Sequence, residues 1–218
     1  MDLTAVYDSN VLLAFEKSQK LDAATNATDW TLSIDDSEIS FENGLVFPVQ
    51  CIATRSDHSG TWLWADANHQ MNFPASSLEV VKMVRESGSS KGIAGFATDQ
   101  INIGTDGFFN AKLVVAADFL GRVDASFSCP HDDGELHIAI CDASIGEQPD
   151  LNLEQLRSII GALIWLEGDL FERVVSYLLQ KQLINKHPTG DEVECLLASG
   201  ETFKFSVQKE GESLSYRF

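Results

Sequence analysis

Basic residues are scarce in this chain. Lys and Arg number 15 among 218 residues, against 33 Asp and Glu, for a formal net charge of -18 at pH 7. Binding a phosphate backbone needs clustered cations that displace counterions, and an anionic membrane surface attracts polybasic segments. The composition therefore argues against nucleic acid and against a membrane as partners. Long apolar runs are missing too, since no stretch approaches the roughly 20 residues that a helix needs to cross a bilayer. The opening Met-Asp-Leu-Thr is acidic and no basic segment leads into an apolar run, so no signal peptide is expected. The four cysteines, Cys51, Cys129, Cys141 and Cys195, are scattered and form no CxxC pair. Without an export signal they read as free buried thiols of a cytoplasmic protein.

Familiar catalytic signatures are also absent. There is no GxSxG elbow, and no Cys or Ser in a recognisable activated setting. The glycine-bearing stretch 92–107 contains neither GxxxxGK[ST] nor GxGxxG, which disfavours a nucleotide loop. Triads can assemble from distant residues, so an enzyme is disfavoured without being excluded. No catalytic residue and no cofactor is assigned.

What the chain does have is apolar material, 44% of its residues. At this length about 70% of the unfolded surface can be buried, so neither disulfides nor metal are needed to hold a core. Residues 3–24 carry a helical period through Leu3, Val6, Tyr7, Val11 and Phe15. Trp30, Leu32 and Ile34 then alternate with polar residues as a strand, and Ile39 and Phe41 continue in a second. Asn43-Gly44 signals a hairpin, because both residues tolerate positive φ. Phe47, Val49, Cys51 and Ala53 share a face of a third strand, with Pro48 at an edge or bulge. Residues 61–67 make a fourth strand, completing an antiparallel meander.

Ser76 and Glu79 have capping-box spacing before a helix that ends at Gly88. Thr105-Asp106 can cap another that carries Phe109, Leu113, Ala116 and Leu120. Two strands flank Asp132-Asp133-Gly134. Asn152 and Gln155 form a second capping box before an apolar stripe at 156–164, and a further stripe follows at 171–183. Such stripes usually face the core of their own domain. Closing strands turn at Ser199-Gly200 and Glu210-Gly211. Strands come in antiparallel groups and not one-for-one with helices, which predicts an α+β fold with antiparallel sheet packed on helices and no doubly wound parallel sheet. Residues 142–152 are the best internal boundary, dividing 1–141 from 152–218, with the two parts expected to pack as one unit.

The most conspicuous stretch is TWLWADANHQ, residues 61–70. On a strand, Trp62, Trp64, Asp66 and Asn68 share one face, and Leu63, Ala65 and Ala67 the other. One reading is a ligand groove in which the indoles stack on a small molecule and Asp66 orients it, with His58 or His69 at the rim. The plainer reading, which we favour, is a strand buried on both faces, since aromatics dominate core burial. Asp66 fits that reading least.

The segment GTWLWADAN, preceded by a Phe-Pro-Val-Gln strand and followed by an apolar helix, resembles an uncharacterised bacterial family of unknown function. That family's most recognisable segment reads W-L-W-A-W-A-N. The resemblance spans residues 30–125 and departs from the pattern at Asp66, where the family has a third Trp. It implies a bacterial cytoplasmic protein and brings no activity with it.

A second candidate is CPHDDGELHIAIC. Cys129, His131, His137 and Cys141 are donors that zinc accepts. With Asp133-Gly134 as a two-residue turn, Cys129 shares a face with Ile138 and Ile140 while His137 and Cys141 lie on the other; a three-residue turn sets Cys129 opposite His137. The spacing lacks the tight pairs of structural zinc sites, and no metal is assigned. The pairs Asp35-Asp36 and Asp132-Asp133 fall in turns, where acids are solvated. The expectation is a non-enzymatic cytoplasmic interaction protein, chaperone-like or immunity-like, whose acidic surface takes a basic protein partner. The alternative is a small-ligand binder or enzyme using the Trp62, Trp64 and Asp66 face. Homodimerisation through sheet edges stays open.

Overall fold

The computed structural model describes residues 2–26, 28–104, 107–146, 150–164, 168–210 and 213–217. Its contacts divide into two units, residues 1–7 with 17–148, and residues 8–16 with 149–218. The fold is α+β, with an antiparallel seven-stranded sheet, a separate antiparallel three-stranded sheet and helices. Among the described residues no helix is long and apolar enough to cross a membrane.

Helix α1 (Leu3–Thr25) ends at Asn26, whose φ of 40° is the left-handed cap that Asn tolerates. In the first unit the meander β1 (Trp30–Ser33), β2 (Glu38–Phe41), β3 (Val46–Ser56) and β4 (Thr61–Trp64) pairs as the alternation predicts. The Asn43-Gly44 turn is present. Gly44 has φ 86°, and Asn43 Oδ1 accepts from the Leu45 amide at 3.1 Å. Later come α2 (Glu79–Ser90), β5 (Gln100–Asn102), α3 (Gly107–Gly121), β6 (Ala125–His131) and β7 (Gly134–Ile140). The sequence order conceals one feature of this sheet. Strand β7 returns to pair with β3 along Val49–Ser56, so β3 is its central strand. The core of the unit therefore draws on residues far apart in sequence, including Trp62, Trp64, Val84, Leu113 and Ile138, all fully buried.

Helix α2 differs from its sequence reading at both ends. Ser76 does not cap it. Residues Ala75–Leu78 form a 3-10 turn, and the first α-helical amides, of Glu79 and Val80, donate to Gln50 Oε1 on β3 at 3.1 and 3.3 Å. Nor does Gly88 end it, for the helix runs to Ser90. Gly88 is buried because the Phe96 ring lies against it, and a Cβ at that position would meet the ring at 2.4 Å. The proposed Thr105-Asp106 cap and the Gly211 half of the last turn lie outside the described residues.

In the second unit α4 is not involved; that short helix (Ala143–Gly146) closes the first. Helix α5 (Leu153–Leu163) starts at the complete Asn152–Gln155 capping box, and Asp169 caps α6 (Leu170–Gln180) by accepting from the Phe171 and Glu172 amides. Strands β8 (Glu192–Leu196), β9 (Thr202–Glu210) and β10 (Ser213–Arg217) form the small sheet. Phe171 of α6 stacks on Phe205 of β9, ring centroids 6.1 Å apart. Buried charges in this unit are paired, as burial demands. Arg173 meets Asp8 at 2.7 Å, and Glu16 accepts from Lys181 and from the Tyr177 hydroxyl, each at 3.0 Å.

Candidate functional site

The register around β3 decides which side chains meet. Trp62 lies opposite Arg55, and Trp64 opposite Ala53. On the other side of β3, Ala53 lies opposite His137 and Arg55 opposite Glu135. One sheet face thus carries Trp62, Trp64, Arg55, Glu135 and His137. Both indoles are 0% exposed. Trp62 meets Trp64 edge-on at 5.5 Å and stacks on His137 at 4.8 Å. Trp64 packs on Phe96 and donates its Nε1–H to the Gly95 carbonyl at 3.1 Å. These are core positions.

The strand stops at Trp64, and Ala65–Ala67 is a 3-10 turn. Alternation therefore does not carry on to Asp66 and Asn68. Asp66 accepts from Arg85 Nη1 with both carboxylate oxygens at 2.8 Å, and Arg85 Nη2 reaches Asp99 at 2.7 Å. That ion pair explains how an acid is tolerated at a partly buried position. Asn68 turns to the opposite face, where its Nδ2 donates to Thr54 Oγ1 at 3.0 Å. His58 and His69 are exposed in the flanking turns. The structure brings Trp62 and Trp64 together and leaves Asp66, Asn68, His58 and His69 apart from them.

Of the residues that do join the tryptophans, His137 was weighed from sequence only as a zinc donor, and Arg55 and Glu135 were not singled out. His137 Nδ1 shares a hydrogen bond with Ser128 Oγ at 2.8 Å. Burial pushes its pKa down to about 4, and the Arg55 charge adds to the effect, so the imidazole is neutral near pH 7. Glu135 approaches Nε2 at 3.4 Å, too long for a strong bond, and that atom has no hydrogen-bond partner among the described residues. Arg55 is held by Asp57 at 2.8 Å and Glu135 at 3.4 Å. A neutral, enclosed imidazole with a depressed pKa is poorly matched to proton transfer at pH 7. A second perturbed group is Asp118, buried on α3, which accepts from Ser126 Oγ at 2.7 Å. Burial pushes its carboxyl up to about 7.

The β6–β7 turn is Asp132-Asp133, which corrects both registers weighed from sequence. Cys129 faces Leu136, and His137 faces Ser128. Cys129 and His137 therefore lie on opposite sheet faces. Among the described residues no group of three or more His, Cys, Asp or Glu side chains could hold a metal ion. Burial pushes the thiols of Cys51 and Cys129 up to about 11 and about 12, which keeps them protonated and unreactive.

Residues 4–143 match the model of a family described as a family of unknown function, DUF6882. The match takes in the tryptophan strand and reaches beyond the span of the motif resemblance on both sides. No curated protein and no solved structure matches the chain.

Proposed function

We propose that this chain, which belongs to the DUF6882 family of unknown function, is a non-enzymatic interaction protein of the bacterial cytoplasm that takes a basic protein partner on its acidic surface. The observation that carries this reading is that seven of the 15 Lys and Arg are spent on partners within the chain. Arg55, Arg85, Arg173, Lys181 and Lys204 each face a carboxylate of the same chain. Lys17 donates to the Val123 carbonyl, and Lys112 to the Thr4 hydroxyl. With these cations engaged internally, the surplus charge of the chain sits on exposed acids such as Asp35, Glu38, Asp132, Glu154, Asp191 and Glu192. A surface of one sign steers a partner of the other. The four cysteines are free, in keeping with a reducing compartment. The alternative, a ligand or substrate on the Trp62, Trp64 and Asp66 face, is less favoured because it would have to uncover both indoles and displace Arg85 from Asp66.

The test is affinity capture of the tagged chain from bacterial lysate, quantified against an unrelated acidic protein of similar net charge. Binding of the purified partner is then followed as salt rises. The expected result is a specific basic protein whose affinity falls with ionic strength. Absence of any partner above the control, or binding indifferent to salt, overturns the reading.

A further inference from the structure

We propose that the sheet face opposite the tryptophans is a binding site for a small, uncharged, hydroxyl-rich molecule of about monosaccharide size. A groove of about 230 Å³ lies there, smaller than the roughly 300–1,000 Å³ typical of drug-sized ligands. Its floor is a row across three neighbouring strands, because Leu63 on β4 is in register with Thr54 on β3 and with Gln100 on β5. Asn68 stands on one side, and His131 and Asp133 of the β6–β7 turn on another.

Three features set the ligand class. First, the groove has no cation to offer an anionic ligand. Arg55 is the only Lys or Arg along it among the described residues, and its guanidinium is taken by Asp57 and Glu135. Second, donors and acceptors stand side by side. The Gln100 amide, which has no protein partner among the described residues, supplies both. Asp133 accepts. His131 accepts the Asp133 amide at Nδ1, at 3.3 Å, which leaves its proton on Nε2 as a donor. A hydroxyl group also donates and accepts, and exposed Met71 lines the groove with Leu63, so a ring with hydroxyls at its edge and C–H groups on its face satisfies such a lining better than an ion does. Third, part of the wall is set in advance. Asn68 is buried and held by Thr54, so its amide loses little freedom when a ligand arrives. Half-buried Leu63 supplies an apolar patch for the C–H face of a ring. This inference stands on a different surface property from the partner reading and does not depend on it.

The test is a titration of the full chain with glucose and with N-acetylglucosamine, read by amide NMR shifts, with sodium phosphate and putrescine as charged comparisons. The expected result is saturable shifts at Thr54, Leu63, Asn68 and Gln100 for a neutral sugar, with a Kd on the order of 1 mM. Asn68→Ala and the near-isosteric Thr54→Val should each weaken binding at least tenfold, and spectra otherwise unchanged would show that the variants fold. The proposal is overturned by no saturable shift with either sugar, by a stronger response to phosphate or putrescine, or by binding that survives both substitutions.

Discussion

Trp62 and His137 sit on strands that never pair with each other, yet their rings stack at 4.8 Å with planes 27° apart. Strand β3 runs between them, pairing Arg55 with Trp62 and the fully buried Ala53 with His137, so the two rings meet on a diagonal across it. The small Ala53 side chain leaves room on the central strand for the imidazole to reach the indole. The stack also seals His137 from water, which is why its charged form is penalised.

That penalty predicts an unusual pH response. His137 binds its proton only near pH 4 when folded, against an ordinary value of 6.5. Acidification through that window therefore costs stability, by about 3 kcal/mol. Asp118 works the other way. Its folded value near 7 lies above the ordinary 3.8, so it favours the fold at low pH and opposes it as pH rises, by about 4 kcal/mol. The two largely cancel between pH 4 and 6.5. Urea unfolding at pH 7 and pH 5 should show His137→Gln gaining stability on acidification and Asp118→Asn losing it more steeply than the parent. Equal slopes in all three proteins would disprove the assignment.

Gly88→Ala should destabilise, against the usual rule. A glycine inside a helix normally gains about 1 kcal/mol on replacement by Ala. Here the added methyl would meet the Phe96 ring at 2.4 Å. Overpacking of this kind costs about 1–3 kcal/mol. The double substitution with Phe96→Leu should recover part of the loss, and thermal melts of the two variants measure it.

Gln50→Ala should cost about 1 kcal/mol, because it removes the acceptor that caps α2 from another strand. Gln50→Glu should recover only part of that loss, because an anion is favoured at a helix N-terminus but the Nε2 donor to the Ser76 carbonyl at 2.8 Å is lost. Ser76→Ala, at the position that sequence spacing marks as the cap, should be nearly silent. Chemical denaturation of the three variants ranks them directly.

Arg85→Met should destabilise by about 2 kcal/mol, since it strands the Asp66 carboxylate at a partly buried position. The double variant with Asp66→Ala should cost less than the two single losses combined, with a coupling of about 1 kcal/mol. Strict additivity would mean that the pair makes no net contribution.

Whatever depends on neighbours along the chain is legible in the amino-acid order. Alternation at Trp30–Ser33 and Glu38–Phe41, the Asn43-Gly44 turn and the Asn152–Gln155 capping box are encoded within a few residues, and each is found in the structure. The α+β class follows from such local signals taken in order. The rest follows from contacts between distant segments. Gln50 caps a helix 29 residues downstream, Phe96 lets Gly88 stay helical, and β7 inserts beside β3 to deliver His137 to Trp62. The strand through Trp62 and Trp64 ends where Asp66 can reach Arg85, which alternation read along the chain does not reveal. A periodic pattern reports which face a residue occupies, but partners across a sheet depend on strand order and register. Those are settled by the burial and pairing of residues far apart in the chain.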